Sequence, residues 1–436
     1  MVFSETKSRL LDTQQEKAPL IWAIAASLGS GLLLAFSLSN YSLLFTAFLA
    51  FIPLLWLSRK QAFWPFVGFS ILSNLLTYGL LSAPLFTPLE SSTVFFSLGG
   101  ISLLFSIPWA MLWLIHHRHN AKLGYWAFVS SYLALEWIQG QFSGHWAGWQ
   151  LGSLPLLFGN IWQALAFVGT GGASLWILSL NIQLFRLIFP AQPQSRKSAI
   201  WAGVPLVLLP VLLSLFIGPS QKGESGKFTY QPTYKSQKGR LLLGQLPKEE
   251  IPENALYAQE KILSSWTYQA GQDSLNSIRF WQKGERQTIN SQGFLVRTIL
   301  GQEQRYFQFL DWQGSRLLLL NAESLKRTAP IREGLQKGAQ TNLAFSQDSS
   351  LSPILYRSAR ARAQESGTDI ILVQKTQAHY FSADGAYQKL EEGQSCSPKI
   401  WQPTFFAQYG DLPGRLSIFL AAWLALASIV KPFRKK

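Results

Sequence analysis

The sequence predicts a polytopic α-helical membrane domain of about eight transmembrane helices that carries one large extracytoplasmic α/β domain before the last helix. Three observations predict it. Of 436 residues, 48% are hydrophobic and only 14% are charged, against about 25% charged in ordinary soluble domains. The apolar residues gather in long runs in the first half and near the C-terminus. Residues 219–413, by contrast, hold 23 Lys and Arg and 18 Asp and Glu, the composition of a water-exposed domain of a size to bury one core.

A membrane span needs about 20 mostly apolar residues. Runs of that kind occupy 19–38, 41–57, 63–82, 94–115, 124–138, 160–188, 199–218 and 414–430. The first run lacks an A-x-A-like cleavage site and is followed at once by a second, so it reads as a retained helix rather than a removed signal peptide. Numbered alternately, one set of connections and termini carries 14 Lys and Arg, from Lys7 and Arg9 to Lys435 and Lys436. The short connections on the other side, 39–40, 83–93 and 139–159, carry none. The positive-inside rule then places both termini in the cytoplasm. The expected organisation is a cytoplasmic N-terminus (1–18), seven helices (19–218), the extracytoplasmic domain (219–413), an eighth helix (414–430) and a basic tail (431–436). The location is the cytoplasmic (inner) membrane, with the large domain periplasmic or extracellular.

Within 219–413, residues 220–238 are polar and Gly/Ser/Lys-rich and read as a linker. Short apolar runs at 240–245, 316–320 and 369–373 have the signature of buried strands. Residues 305–310 alternate as a strand, with a turn expected at Asp311–Gly314. Residues 254–267 have helical spacing. So do 354–366, which end at Gly367, a natural C-cap. A weaker strand lies near 378–382, before a turn at Asp384-Gly385. Strands alternating with helices predict α/β layers.

Several chemistries are excluded. A single cysteine, Cys396, permits neither an internal disulfide nor a Cys-based metal site. The five histidines show no HExxH spacing, and His116, His117 and His119 read as a loop at the membrane surface. No metal and no cofactor are expected. No phosphate loop or dinucleotide fingerprint occurs, and basic residues do not interleave with aromatics as on a nucleic-acid face. A transporter needs ionisable groups inside its spans, and only Glu136 approaches that.

Six local motifs follow one another along the chain: Glu136-Trp137-Ile-Gln-Gly140, Trp149-Gln-Leu-Gly152, Gly169-Thr-Gly-Gly172-Ala-Ser174 with Asn181 beyond it, Thr341-Asn342-Leu-Ala-Phe345-Ser-Gln-Asp348-Ser349, Ala359-Arg360-Ala-Arg362-Ala-Gln-Glu365, and Gly410-Asp411. In this order the chain resembles the bacterial apolipoprotein N-acyltransferases. That resemblance implies a nitrilase-like α/β sandwich on an eight-helix membrane unit. It implies acyl transfer from a membrane phospholipid to the N-terminal amine of diacylglyceryl lipoproteins, and substrate-binding roles at Trp149, Asn342, Phe345 and Ser349. Bland readings stand beside these. The small residues at 169–174 pack helices, Trp146 and Trp149 are interfacial anchors, and Arg360 and Arg362 either form a solvated face or hold a carboxylate such as Glu365.

The family's chemistry is Cys as nucleophile, Glu as base and Lys at the oxyanion. Its nucleophile motif falls on Leu320-Asn321-Ala322-Glu323, so Glu323 is kept and Asn321 stands at the nucleophile position. A carboxamide does not ionise near neutral pH and does not replace a thiolate. The Trp-Pro-Glu-like base motif has no counterpart in 240–320. Cys396, about 75 residues further on, is either an alternative nucleophile or an incidental surface thiol. The sequence therefore predicts a family relative that has lost the cysteine route. The alternatives are an active N-acyltransferase with a non-standard site, and a lipid-binding protein or transporter.

Overall fold

The computed structural model describes residues 18–39, 41–83, 91–141, 149–154, 165–190, 193–216, 221–224, 228–230, 241–243, 262–270, 273–282, 285–290, 307–312, 315–346, 352–374, 377–391 and 394–429. The chain forms two compact units. One comprises 1–135, 176–206 and 417–436; the other comprises 136–175 and 207–416.

The first unit is helical. Among the described residues, four helices are long and apolar enough to cross a membrane: Leu20–Ser39, Phe63–Ser82, Phe96–Arg118 and Ala166–Ile188, the last of them shared between the units. Leu20–Ser39 and Phe63–Ser82 pack through small residues. Thr77 Oγ1 donates to Gly31 O at 3.1 Å, and a Cβ on Gly31 would stand 2.6 Å from Ser73 O. Large apolar side chains face outward, with Trp64, Phe96 and Trp201 each more than three-quarters exposed. Such a surface suits lipid better than water.

The expected span at 41–57 is not one helix. A 3-10 helix, Tyr41–Phe48, is followed by the short α-helix Ile52–Leu57 with Pro53 in its first turn. The break frees buried backbone groups that need partners, and Asn181 supplies them. Its Oδ1 accepts from Phe51 N at 3.1 Å and its Nδ2 donates to Ala47 O at 2.9 Å. The run 94–115 is likewise interrupted. Helices Ser91–Leu104 and Ile107–Arg118 meet at a turn ahead of Pro108.

The second unit contains the α/β layers. Its strands are β1 Gln221–Glu224, β2 Phe228–Tyr230, β3 Leu241–Leu243, β4 Ile262–Ala270, β5 Asp273–Gln282, β6 Glu285–Asn290, β7 Phe307–Trp312, β8 Ser315–Asn321, β9 Thr341–Phe345, β10 Asp369–Val373, β11 Ala378–Phe381, β12 Tyr387–Leu390, β13 Ser395–Cys396 and β14 Lys399–Trp401. They build two six-stranded sheets, β12-β11-β10-β9-β8-β7 and β13-β2-β3-β4-β5-β6, while β1 pairs with β14. β8, β9 and β10 are mutually parallel. Alternation along them makes two layers. Leu317, Leu319, Leu343, Phe345, Ile371 and Val373 pack with Cys396 of the other sheet. Leu318, Leu320, Ala344, Ile370 and Leu372 pack instead on Ile331 of helix Ala329–Gln336 and on Leu355, Ala359 and Ala363 of helix Pro353–Ser366. The latter helix is N-capped by Ser352, whose side chain accepts from Leu355 N, and closed by Gly367 at φ 65°. The layer order is helix, sheet, sheet.

Asp369, at the start of β10, ties the layers together. Its carboxylate accepts from Tyr380 OH (2.5 Å), Ser382 Oγ (3.1 Å), Trp401 Nε1 (2.6 Å) and the amides of Ala383 (2.9 Å) and Lys399 (2.7 Å).

Three expectations need correction. Residues 262–267 belong to β4, not a helix; residues 254–261 lie outside the described set. Over 262–267 the helical spacing yields to a long antiparallel hairpin with β5, running from Ile262↔Trp281 to Ala270↔Asp273. The stretch 220–238 is not wholly a linker, because β1 and β2 lie within it and pair with strands from the far end of the domain. The strand expected at 305–310 is described from Phe307 and extends to Trp312, two residues into the expected turn, and Trp312 pairs with Ser315 of β8; residues 313–314 lie outside the described set.

Candidate functional site

In open parallel sheets, ligands meet the carboxyl ends of the strands. Here β8 ends at Asn321, in register with Phe345 of β9, and the chain turns at once into a 3-10 helix, Ala322–Lys326. Residue 321 thus stands at a strand-to-helix turn at the carboxyl edge of the parallel strands. The residue there is a carboxamide. The side chains of Asn321 and Glu323, and the whole of Ser349, lie outside the described set.

Of the other expected substrate residues, Phe345 stands at that edge, its side chain buried between the sheets. Asn342 lies three residues from the end of β8 in register, opposite Leu318. It is fully buried, and its Nδ2 donates to Thr368 Oγ1 at 2.6 Å. Trp149 belongs to a different cluster and is 3% exposed, so it is a buried side chain rather than an interfacial anchor.

Cys396 is not a surface thiol. It lies on β13 and is 6% exposed. Burial, and then the Asp369 carboxylate, push its thiol up to about 12, so it carries a proton at neutral pH, whereas the attacking species is the thiolate. We expect Cys396 to resist a maleimide in the folded protein at pH 7 and to react fully once unfolded. Rapid labelling of the folded chain, read by mass, would contradict this.

His379 was not singled out beyond the metal question. Its Nε2 donates to Gln374 Oε1 and its Nδ1 accepts from Tyr387 OH, both at 3.0 Å. Burial, with the Lys389 charge second, lowers it from 6.5 to about 4. An unfolded chain takes up this proton first as pH falls, so the ring's contribution to stability is lost between about pH 6.5 and pH 4 and changes no further below. The stability difference between the wild type and His379→Gln should shrink from pH 7 to pH 4.5. An unchanged difference, measured by denaturant titration, would count against a neutral buried ring.

The most developed polar site was spread over five of the sequence motifs, and the fold brings them together. Gly169 has φ 66° inside helix Leu165–Ile188, so regular helix starts anew just after it. That leaves the amide of Thr170 among the first-turn N–H groups with no partner in the helix. The amide donates to Glu365 Oε1 at 2.5 Å, a carboxylate placed where the helix dipole favours it. The other oxygen, Glu365 Oε2, is paired with Arg362, whose side chain also donates to Gln150 Oε1 at 3.3 Å. Of the two readings of Arg362, the carboxylate-holding one is therefore correct. Next to Gln150, Leu151 N donates to Glu136 Oε1 and Gly152 N to Ser174 Oγ, both at 2.8 Å. Asp411 caps helix Leu412–Ile429 by accepting from Gly414 N at 2.9 Å. A Cβ on Gly171 would stand 2.3 Å from Asp411 Oδ1. Burial pushes the Glu365 and Asp411 carboxyls up, while Arg362 pulls both down.

This arrangement is a clasp. Both Glu365 oxygens are taken by protein donors, and Glu136 and Asp411 each hold a main-chain amide. Within the second unit it ties Glu136, Gln150–Gly152 and Thr170–Ser174 to helix Pro353–Ser366 and Asp411. Thr404 adds to it, its hydroxyl donating to Glu365 O. Sequence reading found Glu136, Gly152, Ser174, Arg362, Glu365 and Asp411. It missed Gln150 and the Thr170 amide, since a backbone donor has no signature in the residue code.

No protein-family model matches the chain, and no curated protein matches it. Similar solved structures include an amidase from Nesterenkonia sp., 16% identical over 39% of this chain and 81% of that one, with a TM-score of 0.26. Another is a CN-hydrolase superfamily protein from Xanthomonas campestris, 15% identical over 37% and 77%, with a TM-score of 0.27. A mutant of the Nesterenkonia AN1 amidase, of the nitrilase superfamily, is 16% identical over 38% and 80%, again at 0.27. At these scores the likenesses bear on neither activity nor substrate.

Proposed function

We propose that the chain is an eight-helix inner-membrane relative of the apolipoprotein N-acyltransferases with a nitrilase-like extracytoplasmic domain. In this reading it engages membrane phospholipid and diacylglyceryl lipoproteins without transferring an acyl chain through cysteine. One observation carries the reading. The position that resembles the family's nucleophile lies at the carboxyl end of a parallel strand, at a strand-to-helix turn, and is Asn321. The lone thiol, Cys396, is buried and protonated elsewhere. A carboxamide supplies no ionisable nucleophile. The order of the motifs, and their meeting in one buried clasp, favour descent from the whole family architecture.

The test is direct. Purified protein in detergent is incubated with phospholipid and a diacylglyceryl lipopeptide bearing a free amine, and the lipopeptide mass is read. We expect no added acyl mass while an active family member acylates in parallel. An acyl increment would overturn the reading in favour of an enzyme with a non-standard site, and Cys396→Ser would then show whether the thiol takes part.

A further inference from the structure

Two guanidinium groups converge beside the start of helix Leu412–Ile429. Gly410, at φ 78°, lets them approach: a Cβ there would lie 2.5 Å from Arg332 Nη1 and 3.2 Å from Arg415 Nη2. Arg415 is spent on main-chain carbonyls, those of Tyr409 and, at 3.4 Å, Asp411. Arg332 is less satisfied. Its Nε is buried without a partner, and among the described residues neither arginine forms an ion pair. The Asp411 carboxylate, in the field of Arg415, is already engaged as a helix cap. Burial, and then the Arg415 charge, hold the Arg332 guanidinium below its ordinary value. Two like charges so close, one of them with a buried Nε lacking a partner, form a poor resting arrangement and a good receptor for an anion.

The surroundings define the anion. Arg332 lines a small cleft with Thr328, Leu335, Arg362 and Phe406. Glu365, also in the cleft wall, is already paired with Arg362. Beside it Phe405 stacks on Phe167 at 4.6 Å and packs on Tyr409 at 4.5 Å. Phe405 and Tyr409 are exposed, and so is Leu416, which opens the apolar face of the final helix. Aromatic rings and arginines at the end of an apolar helix are the pattern of a membrane interface. The bidentate guanidinium fork matches phosphate oxygens, and the rings and Leu416 offer a surface for acyl chains.

We propose that Arg332 and Arg415 bind the phosphate group of a phospholipid headgroup. The site rests on the membrane part of the reading above but not on the absence of acyl transfer, so it stands or falls separately from that assay.

Native mass spectrometry of the full chain in non-ionic detergent tests it, with three probes titrated: dihexanoyl phosphatidylglycerol, dihexanoylglycerol and inorganic phosphate. We expect saturable binding of the phospholipid only. Arg332→Gln and Arg415→Gln should each weaken it by about tenfold or more, as loss of a charge-assisted hydrogen bond predicts. Arg332→Lys, which keeps the charge but loses the fork, should fall between. Lys337→Gln, an exposed cation just past the end of helix Ala329–Gln336 and paired with Glu333, should bind as wild type, and the thermal midpoint of each variant checks folding. Equal binding by wild type and both Gln variants would overturn the proposal. So would equal affinity for dihexanoylglycerol. Binding of inorganic phosphate as tightly as the phospholipid would replace the lipid with a free anion and overturn the lipid assignment.

Discussion

Removing one partner of the buried Arg362–Glu365 pair should give the largest loss of stability in this protein. The two side chains are 4% and 1% exposed, and Glu365 also holds the Thr170 amide. In Glu365→Ala a buried guanidinium is left without its carboxylate and a buried amide without its acceptor. Breaking such a pair costs about 3–5 kcal/mol. The double variant Arg362→Met/Glu365→Leu removes both charges and should recover a large part of that loss, because an apolar pair of similar volume has no desolvation penalty to offset. Denaturant titration in detergent of both single variants and the double variant gives the coupling energy. A single variant as stable as wild type, or a double variant worse than the sum of the singles, would remove the clasp from the account of this fold.

Gly152→Ala should be almost as damaging for a different reason. The added Cβ would stand 1.8 Å from Thr170 O and 2.9 Å from Ser174 Oγ, the atom that accepts the Gly152 amide. The first obstacle is main chain, so no rotamer relieves it, and residues 151–154 must move off the strut they lean on. Overpacking of this kind, with the lost hydrogen bond, costs about 3 kcal/mol. Gly203→Ala is the control. Nothing lies within 4 Å of its Cβ, and in mid-helix the change should be neutral or stabilise by about 0.5–1 kcal/mol. If both variants melt at the same temperature in detergent, close packing at Gly152 is not what holds this segment.

Much of this was legible in the residues, and the physical reason is locality. Hydropathy and period are properties of neighbouring residues, so the apolar helices, the buried strands at 316–320 and 369–373 and the capped helix ending at Gly367 could be read directly. The errors have the opposite cause. Residues 262–267 have helical spacing but belong to a strand, because the hairpin partner β5 supplies hydrogen bonds that no window over 254–267 contains. The run 41–57 is apolar throughout yet broken, since its backbone finds acceptors and donors on Asn181, 130 residues away. Within polar 220–238, β1 and β2 pair with strands from the far end of the domain.

The sequence by itself determined the chemistry available: one cysteine, a carboxamide at residue 321, and a set of short motifs in a definite order. Each of those is a matter of which atoms the chain carries. Only the tertiary structure decided what the motifs do. Glu136, Gly152, Ser174, Glu365 and Asp411 are separated by up to 275 positions, and nothing in their spacing says that they meet. They meet because a positive-φ glycine starts a helix at Thr170, leaving an amide that a buried carboxylate from helix Pro353–Ser366 satisfies. Likewise Arg332 and Arg415 read as two ordinary cations until the fold sets both against the bare backbone of Gly410.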